Sequence, residues 1–131
     1  MSTELTMLVW STALLLLLIV IQATAAVRAQ GLSAMAGNRD DLPPPTTFQA
    51  RTKRLVDNHR EGLTLFAPLI IVAALAHISN SWTVLGAQLF FYSRVIHAVL
   101  YVMGVPWVRA LAWGVGMVGT IMVLVTVLRV G

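Results

Sequence analysis

The chain contains no cysteine, so disulfides, cysteine nucleophiles and thiolate-held metals are excluded from its own chemistry. Charge is also scarce. There are 9 Lys+Arg and 5 Asp+Glu among 131 residues, and all of these except Glu4, Arg94, Arg109 and Arg129 lie between Arg28 and Glu61. The histidines His59, His77 and His97 form no His-Glu-x-x-His or paired carboxylate pattern, so no metal site is expected. No glycine-rich phosphate loop is present, and no serine stands in a recognised hydrolase motif. The formal charge of +4 comes without an aromatic stacking platform or a nucleic-acid-binding motif, which argues against a nucleic-acid partner.

What is abundant is apolar surface: 58% of the residues are hydrophobic. Four stretches of roughly 17 to 23 apolar residues are each long enough to cross a hydrocarbon core of about 30 Å. A soluble globular domain is thereby excluded, and the expectation is one all-α integral membrane domain, a four-helix bundle. Its helices are predicted at about 5–27, 49–78, 82–103 and 107–128, the apolar part of the second being 62–78. The small residues Ala23, Thr24 and Ala25 resemble a signal cleavage site, but Glu4 and the lack of a preceding Lys or Arg favour a retained helix. Residues 28–48, rich in Gly, Pro, Ser and Thr, read as a loop rather than a helix, with Pro43 to Pro45 as an extended spacer. Pro68 is expected to kink the second helix. Ala112, Gly116 and Thr120 make a small-residue stripe suited to close packing of the fourth.

Four crossings put both termini on one side of the membrane and the long first loop on the other. The loop side holds Arg28, Arg39, Arg51, Lys53, Arg54, Arg60 and Arg109, against Arg129 alone opposite. The positive-inside rule then places the loop in the cytoplasm and both termini outside it.

Two polar faces stand out. At 100° per residue, Arg51, Arg54, Asn58 and Glu61 share an arc of about 80° on the second helix. The plain reading is a solvated helix start. On the third, Arg94 shares an arc of roughly 60° with His97 and Tyr101, about nine residues from the cytoplasmic end. An arginine at that depth costs at least ~2 to 3 kcal/mol when facing lipid, so it must face protein, a wet cavity or an anion. An ion pair with Glu61 is one solution. Arg109 opens the fourth helix on the same side, where it could equally be a positive-inside anchor. His59 and His77 read as ordinary interfacial residues.

Several arginines with one carboxylate, one amide and one phenol suit a small zwitterion carrying more than one carboxylate, with Glu61 meeting its ammonium. A γ-glutamyl peptide such as glutathione has that charge pattern. Its thiol, placed near Arg94 or Arg109, would be activated as a nucleophile.

At this point RLVDNHRE, with Arg54, Asn58 and Glu61, and RVIHAVLYVMGVPWVRAL, with Arg94, His97, Tyr101, Pro106 and Arg109, resemble the MAPEG family of membrane-associated proteins in eicosanoid and glutathione metabolism. The GNRDDLP loop, residues 37–43, resembles its prokaryotic branch, which implies a bacterial inner membrane as the location. The resemblance implies a homotrimer of four-helix subunits that holds glutathione, as co-substrate, between neighbours near the cytoplasmic side. It implies Arg54, Asn58, Glu61, Arg94 and His97 as glutathione contacts and Arg28 as a contact from an adjoining subunit. Arg109 would stabilise the thiolate, with Tyr101 beside it. Gly62 departs from members that carry an aromatic after the glutamate, and Pro68 lies further along its helix than in the animal transferases.

The activity so implied is that of a transferase or peroxidase acting on lipophilic electrophiles or lipid hydroperoxides drawn from the bilayer. Apolar lining is expected around Phe90 and Phe91. The competing functions are a non-catalytic protein binding a lipid or small acid in the same cavity, and a transporter. Glu61 beside Arg109 favours the first reading, because a generic anion site has little use for a carboxylate.

Overall fold

A computed structural model describes residues 1–131. The chain is entirely helical, in the order α1 (Thr3–Gln30), α2 (Leu32–Ala36), α3 (Thr47–Leu75), α4 (Ser81–Met103) and α5 (Pro106–Val130). The starts are set by side chains that satisfy free backbone N–H groups. Ser2 accepts from Leu5, Thr46 and Gln49 form a reciprocal capping box before α3, and Asn80 and Thr83 form another before α4. Pro106 occupies the first turn of α5, where its missing N–H costs nothing. Gly104, at φ +77°, closes α4 in the left-handed conformation.

Three boundaries differ from the sequence reading, the first being that α1 continues to Gln30 instead of ending at residue 27. The loop 28–48 contains the short helix α2, anchored by bonds from Met35 N to Gly31 O and Gly37 N to Ser33 O. The second long helix stops at Leu75 instead of residue 78. There Ile78 N bonds to Ala73 O and His77 N to Ala74 O, with His77 at φ +57°. This is a Schellman-type end with histidine in the position glycine usually fills. The helix α3 runs through Pro68 uninterrupted.

Helices α1, α4 and α5 are long and apolar enough to cross a membrane, and the protein is an integral membrane protein. α3 is as long, but its first half carries Arg51, Lys53, Arg54, Asp57, Arg60 and Glu61. α1 packs against α3 and α4, and α4 makes its most extensive contact with α5. One core cluster joins Met7, Phe66, Ile70, Ala87, Phe90 and Val123, with Phe66 and Phe90 stacked at 4.0 Å between ring centroids. A second, Leu18, Leu55, Val56, Ala98 and Tyr101, lies towards the loop end. The large apolar residues Leu16, Val20, Leu111 and Leu128 point outward, as a lipid-facing surface requires.

The α4–α5 crossing is as close as backbones permit. A Cβ on Gly86 would come within 2.7 Å of Gly119 O, and one on Gly119 would overlap Gly86 O. The stripe of Ala112, Gly116 and Thr120 is buried in this seam. Glycine at this crossing replaces side-chain bulk with backbone contact, the usual basis of close helix association in lipid.

Candidate functional site

The ends of α1 and α4 and the starts of α3 and α5 meet at the basic end of the molecule, and Arg94 lies about 14 Å below the last residue of α4. Arg94 is buried, only 3% exposed. Its Nη1 donates to Asn58 Oδ1 at 2.9 Å and its Nη2 to Asn58 O at 3.0 Å, so α4 and α3 are joined by a guanidinium bridging one residue's side chain and backbone. The anticipated ion pair with Glu61 is not formed. The only ion pairs are Lys53–Asp57 and Arg60–Asp57, both on the surface of α3.

Gly62 explains how the arginine reaches the helix backbone. A Cβ there would overlap Arg94 Nη2 and stand 2.9 Å from its Cζ. An aromatic side chain at this position would take the space that the guanidinium fills. Below the guanidinium, Phe90 presents its ring at 5.6 Å, a cation–π contact that further offsets the loss of water.

Towards the loop, Arg54 Nε donates to the Tyr101 hydroxyl at 3.1 Å. The ring of Tyr101 also carries the guanidinium of Arg109, 4.5 Å from its centroid. His97, buried, lies 5.6 Å from the same ring. Arg51 packs on Gly104 at the carboxyl end of α4, where a cation complements the helix dipole. Thus α3, α4 and α5 bring Arg54, Asn58, Arg94, His97, Tyr101 and Arg109 together. Glu61, on the same ridge of α3, is exposed and free of ion pairs. Arg28 stands apart on the α1 side, lining a 420 Å³ cavity with Thr24, Thr46 and Phe48.

Three further findings were not anticipated. His59 is buried, its Nε2 2.9 Å from Ser11 O and its ring stacked on Phe90, so it is a packing residue between α1, α3 and α4 rather than an interfacial one. Its place on the side of α3 opposite the polar ridge was the available signal. Phe90 is core, 1% exposed, so it cannot line a substrate path. The apolar surface near the site is instead a 560 Å³ groove between α4 and α5, with Tyr92, Ile96, Val108 and Leu111 in its walls.

A family model matches residues 7–129, the MAPEG family. The chain belongs to the MAPEG family. No curated relative and no solved structure matches it. MAPEG membership associates the chain with membrane-bound glutathione transferase, peroxidase or eicosanoid chemistry, and all of the clustered polar residues fall inside the matched segment. Among the MAPEG chain's own groups, the set can bind carboxylates through Arg54, Arg94 and Arg109, an ammonium through Glu61, and a developing anion through Arg109 and Tyr101.

Proposed function

We propose that this MAPEG protein of the prokaryotic type is a glutathione-dependent membrane transferase or peroxidase for lipophilic electrophiles or lipid hydroperoxides. The observation that carries the reading is how Arg94 is held. It is buried with its hydrogen bonds directed to the neutral Asn58, and Glu61 on the same ridge acts on it only through space, without forming an ion pair. A zwitterionic ligand with two carboxylates would complete both. Arg54, Asn58, Glu61, Arg94 and His97 bind glutathione, Arg109 and Tyr101 face its sulfur, and Arg28 contributes from a neighbouring subunit. That neighbour belongs to a homotrimer of four-helix subunits, which would enclose a cluster left half open in one chain.

In this reading Arg109 does the chemical work. A free thiol has a pKa of about 8.5, and a guanidinium within about 4 to 6 Å lowers it by roughly one to three. The proton leaves to water, and the thiolate either adds to an electrophilic carbon or attacks the O–O bond of a hydroperoxide. In the second case two glutathiones yield one disulfide, one alcohol and one water. The groove between α4 and α5, whose Val108 adjoins Arg109, is the path for a hydrophobic substrate from the bilayer.

The loop side faces the cytoplasm of an inner membrane, with α3 as the fourth crossing. A reporter fused after Gly131 is expected on the extracytoplasmic side, and a cytoplasmic signal would contradict this orientation. The test of function is titration of purified protein with glutathione, recording thiolate absorbance and turnover of a generic electrophile. Thiolate formation with turnover is expected. Saturable binding without thiolate would favour a non-catalytic protein that binds a lipid or small acid.

A further inference from the structure

Arg129 stands at the end of the molecule opposite Arg94, exposed in the last turn of α5 and without an ion pair. The plain reading of such a residue is that it complements the dipole of its own helix. That accounts for its charge but not for its surroundings. At 100° per residue, Val118, Ile121, Met122, Val125 and Arg129 share an arc of about 100° on α5, so the guanidinium tops an apolar stripe about 17 Å long.

This stripe is one wall of a 400 Å³ cavity, and the start of α4, with Asn80 and Trp82, is the other. The polar groups at its head are donors. Asn80 Oδ1 is already occupied by the backbone N–H groups of Trp82 and Thr83 at 2.9 and 3.1 Å, which leaves the amide nitrogen to offer. Trp82, 62% exposed, has only its indole N–H, and Arg129 adds the N–H groups of its guanidinium. No Asp or Glu lines the cavity. Glu4, the acid at this end, is 4% exposed, and its Oε1 accepts from Ser79 Oγ and Thr83 Oγ1, so it does not pair with Arg129. Donors at the head, hydrocarbon below and no carboxylate suit an anion that carries an alkyl chain. The charge of its headgroup is selected too, because an ethanolamine or choline cation would meet no carboxylate here. Tryptophan favours the level of lipid headgroups, which sets the head of the cavity at the depth of lipid phosphates.

We propose that this cavity holds an anionic phospholipid of the leaflet at the terminal end, with its phosphate on Arg129, Trp82 and Asn80 and an acyl chain along Val118, Ile121 and Val125. The site is independent of the glutathione reading, because its residues lie at the other end of α4 and α5.

The test uses the purified, delipidated protein in non-ionic detergent. Thermal unfolding is followed during titration with dioctanoyl phosphatidylglycerol and, separately, dioctanoyl phosphatidylcholine, since a ligand that binds the folded state raises its stability. Saturable stabilisation by the glycerol lipid is expected, with the choline lipid weaker by about tenfold or more. Arg129→Gln should remove this preference, the loss of a charge-assisted contact worth about tenfold in affinity. Arg60→Gln removes the same charge from an exposed position on α3 and should leave the preference intact. Val125→Trp fills the cavity while keeping Arg129, and should weaken the glycerol lipid by about tenfold or more. Equal stabilisation of the wild type by the two lipids overturns the proposal. So does an equal loss in Arg129→Gln and Arg60→Gln, which would mark a general attraction to net charge, or unchanged affinity in Val125→Trp, which would put the lipid elsewhere.

Discussion

The two ends of the molecule each bury one charge, and they hold it in the same way. At the loop end the guanidinium of Arg94 is held by the amide and carbonyl of Asn58. At the other end the carboxylate of Glu4 is held by the hydroxyls of Ser79 and Thr83. Neither forms a direct ion pair. Neutral partners fix the position of a charged group and leave its field available, whereas an ion pair would cancel it. The ends differ in their surroundings. Arg94 belongs to a convergence of cations and one phenol from three helices, whereas Glu4 stands alone above an apolar cavity.

The largest effect is expected at the Arg94 bridge. Arg94→Leu removes both bonds to Asn58, and should raise the dissociation constant for glutathione by about a hundredfold, the loss of two or more charge-assisted contacts. It should also lower stability by about 1–3 kcal/mol, because the Asn58 acceptors lose their donors. Gly62→Ala reaches the same bridge from the other side, since its Cβ occupies the guanidinium's place. It should cost about 1–3 kcal/mol by overpacking and weaken glutathione in parallel. Calorimetric titration and thermal unfolding in detergent check both. If the Arg94→Leu variant binds normally and is more stable, the arginine is a structural liability and has no part in holding the ligand.

Much of this arrangement was legible in the sequence because periodicity reports which residues share a helix face. The ridge of Arg54, Asn58 and Glu61 and the face of Arg94, His97 and Tyr101 follow from 100° steps, and the cost of an arginine in lipid required Arg94 to turn inward. The partner was not legible. Asn58 and Glu61 are one turn apart on the same ridge, and only the depth of α4 against α3, set by the absence of a side chain at Gly62, decides which one Arg94 meets. The end of α3 was hidden for a related reason. The reversal at His77 lacks the glycine that usually marks it. His59 and Phe90 also depended on packing. Both were readable as to helix face, but only the seating of α1 on α3 buries the histidine against Ser11.

A smaller effect is expected from Glu61→Gln. Its carboxylate makes no ion pair within the chain, so stability should change by less than about 0.5 kcal/mol, as for an ordinary surface substitution. Glutathione binding should weaken by about tenfold, the loss of one charged contact to the ligand's ammonium, with any bound thiol still ionised. Unchanged affinity would detach Glu61 from the ligand and weaken the distinction between this site and a generic anion site.

Arg109, with its guanidinium 4.5 Å from the centre of the Tyr101 ring, is the group that decides whether the cationic end activates a bound thiol. The direct measurement is thiolate absorbance against pH, at saturating glutathione, for wild type and Arg109→Ala. The wild-type curve should lie about one to three pH units below that of free glutathione, with thiolate dominant at neutral pH. In Arg109→Ala binding should be nearly intact, the curve should return towards the free thiol, and the chemical step should slow about tenfold for each unit lost. Identical curves for the two proteins would remove Arg109 from the mechanism, and the absence of thiolate in both would contradict the proposed activity.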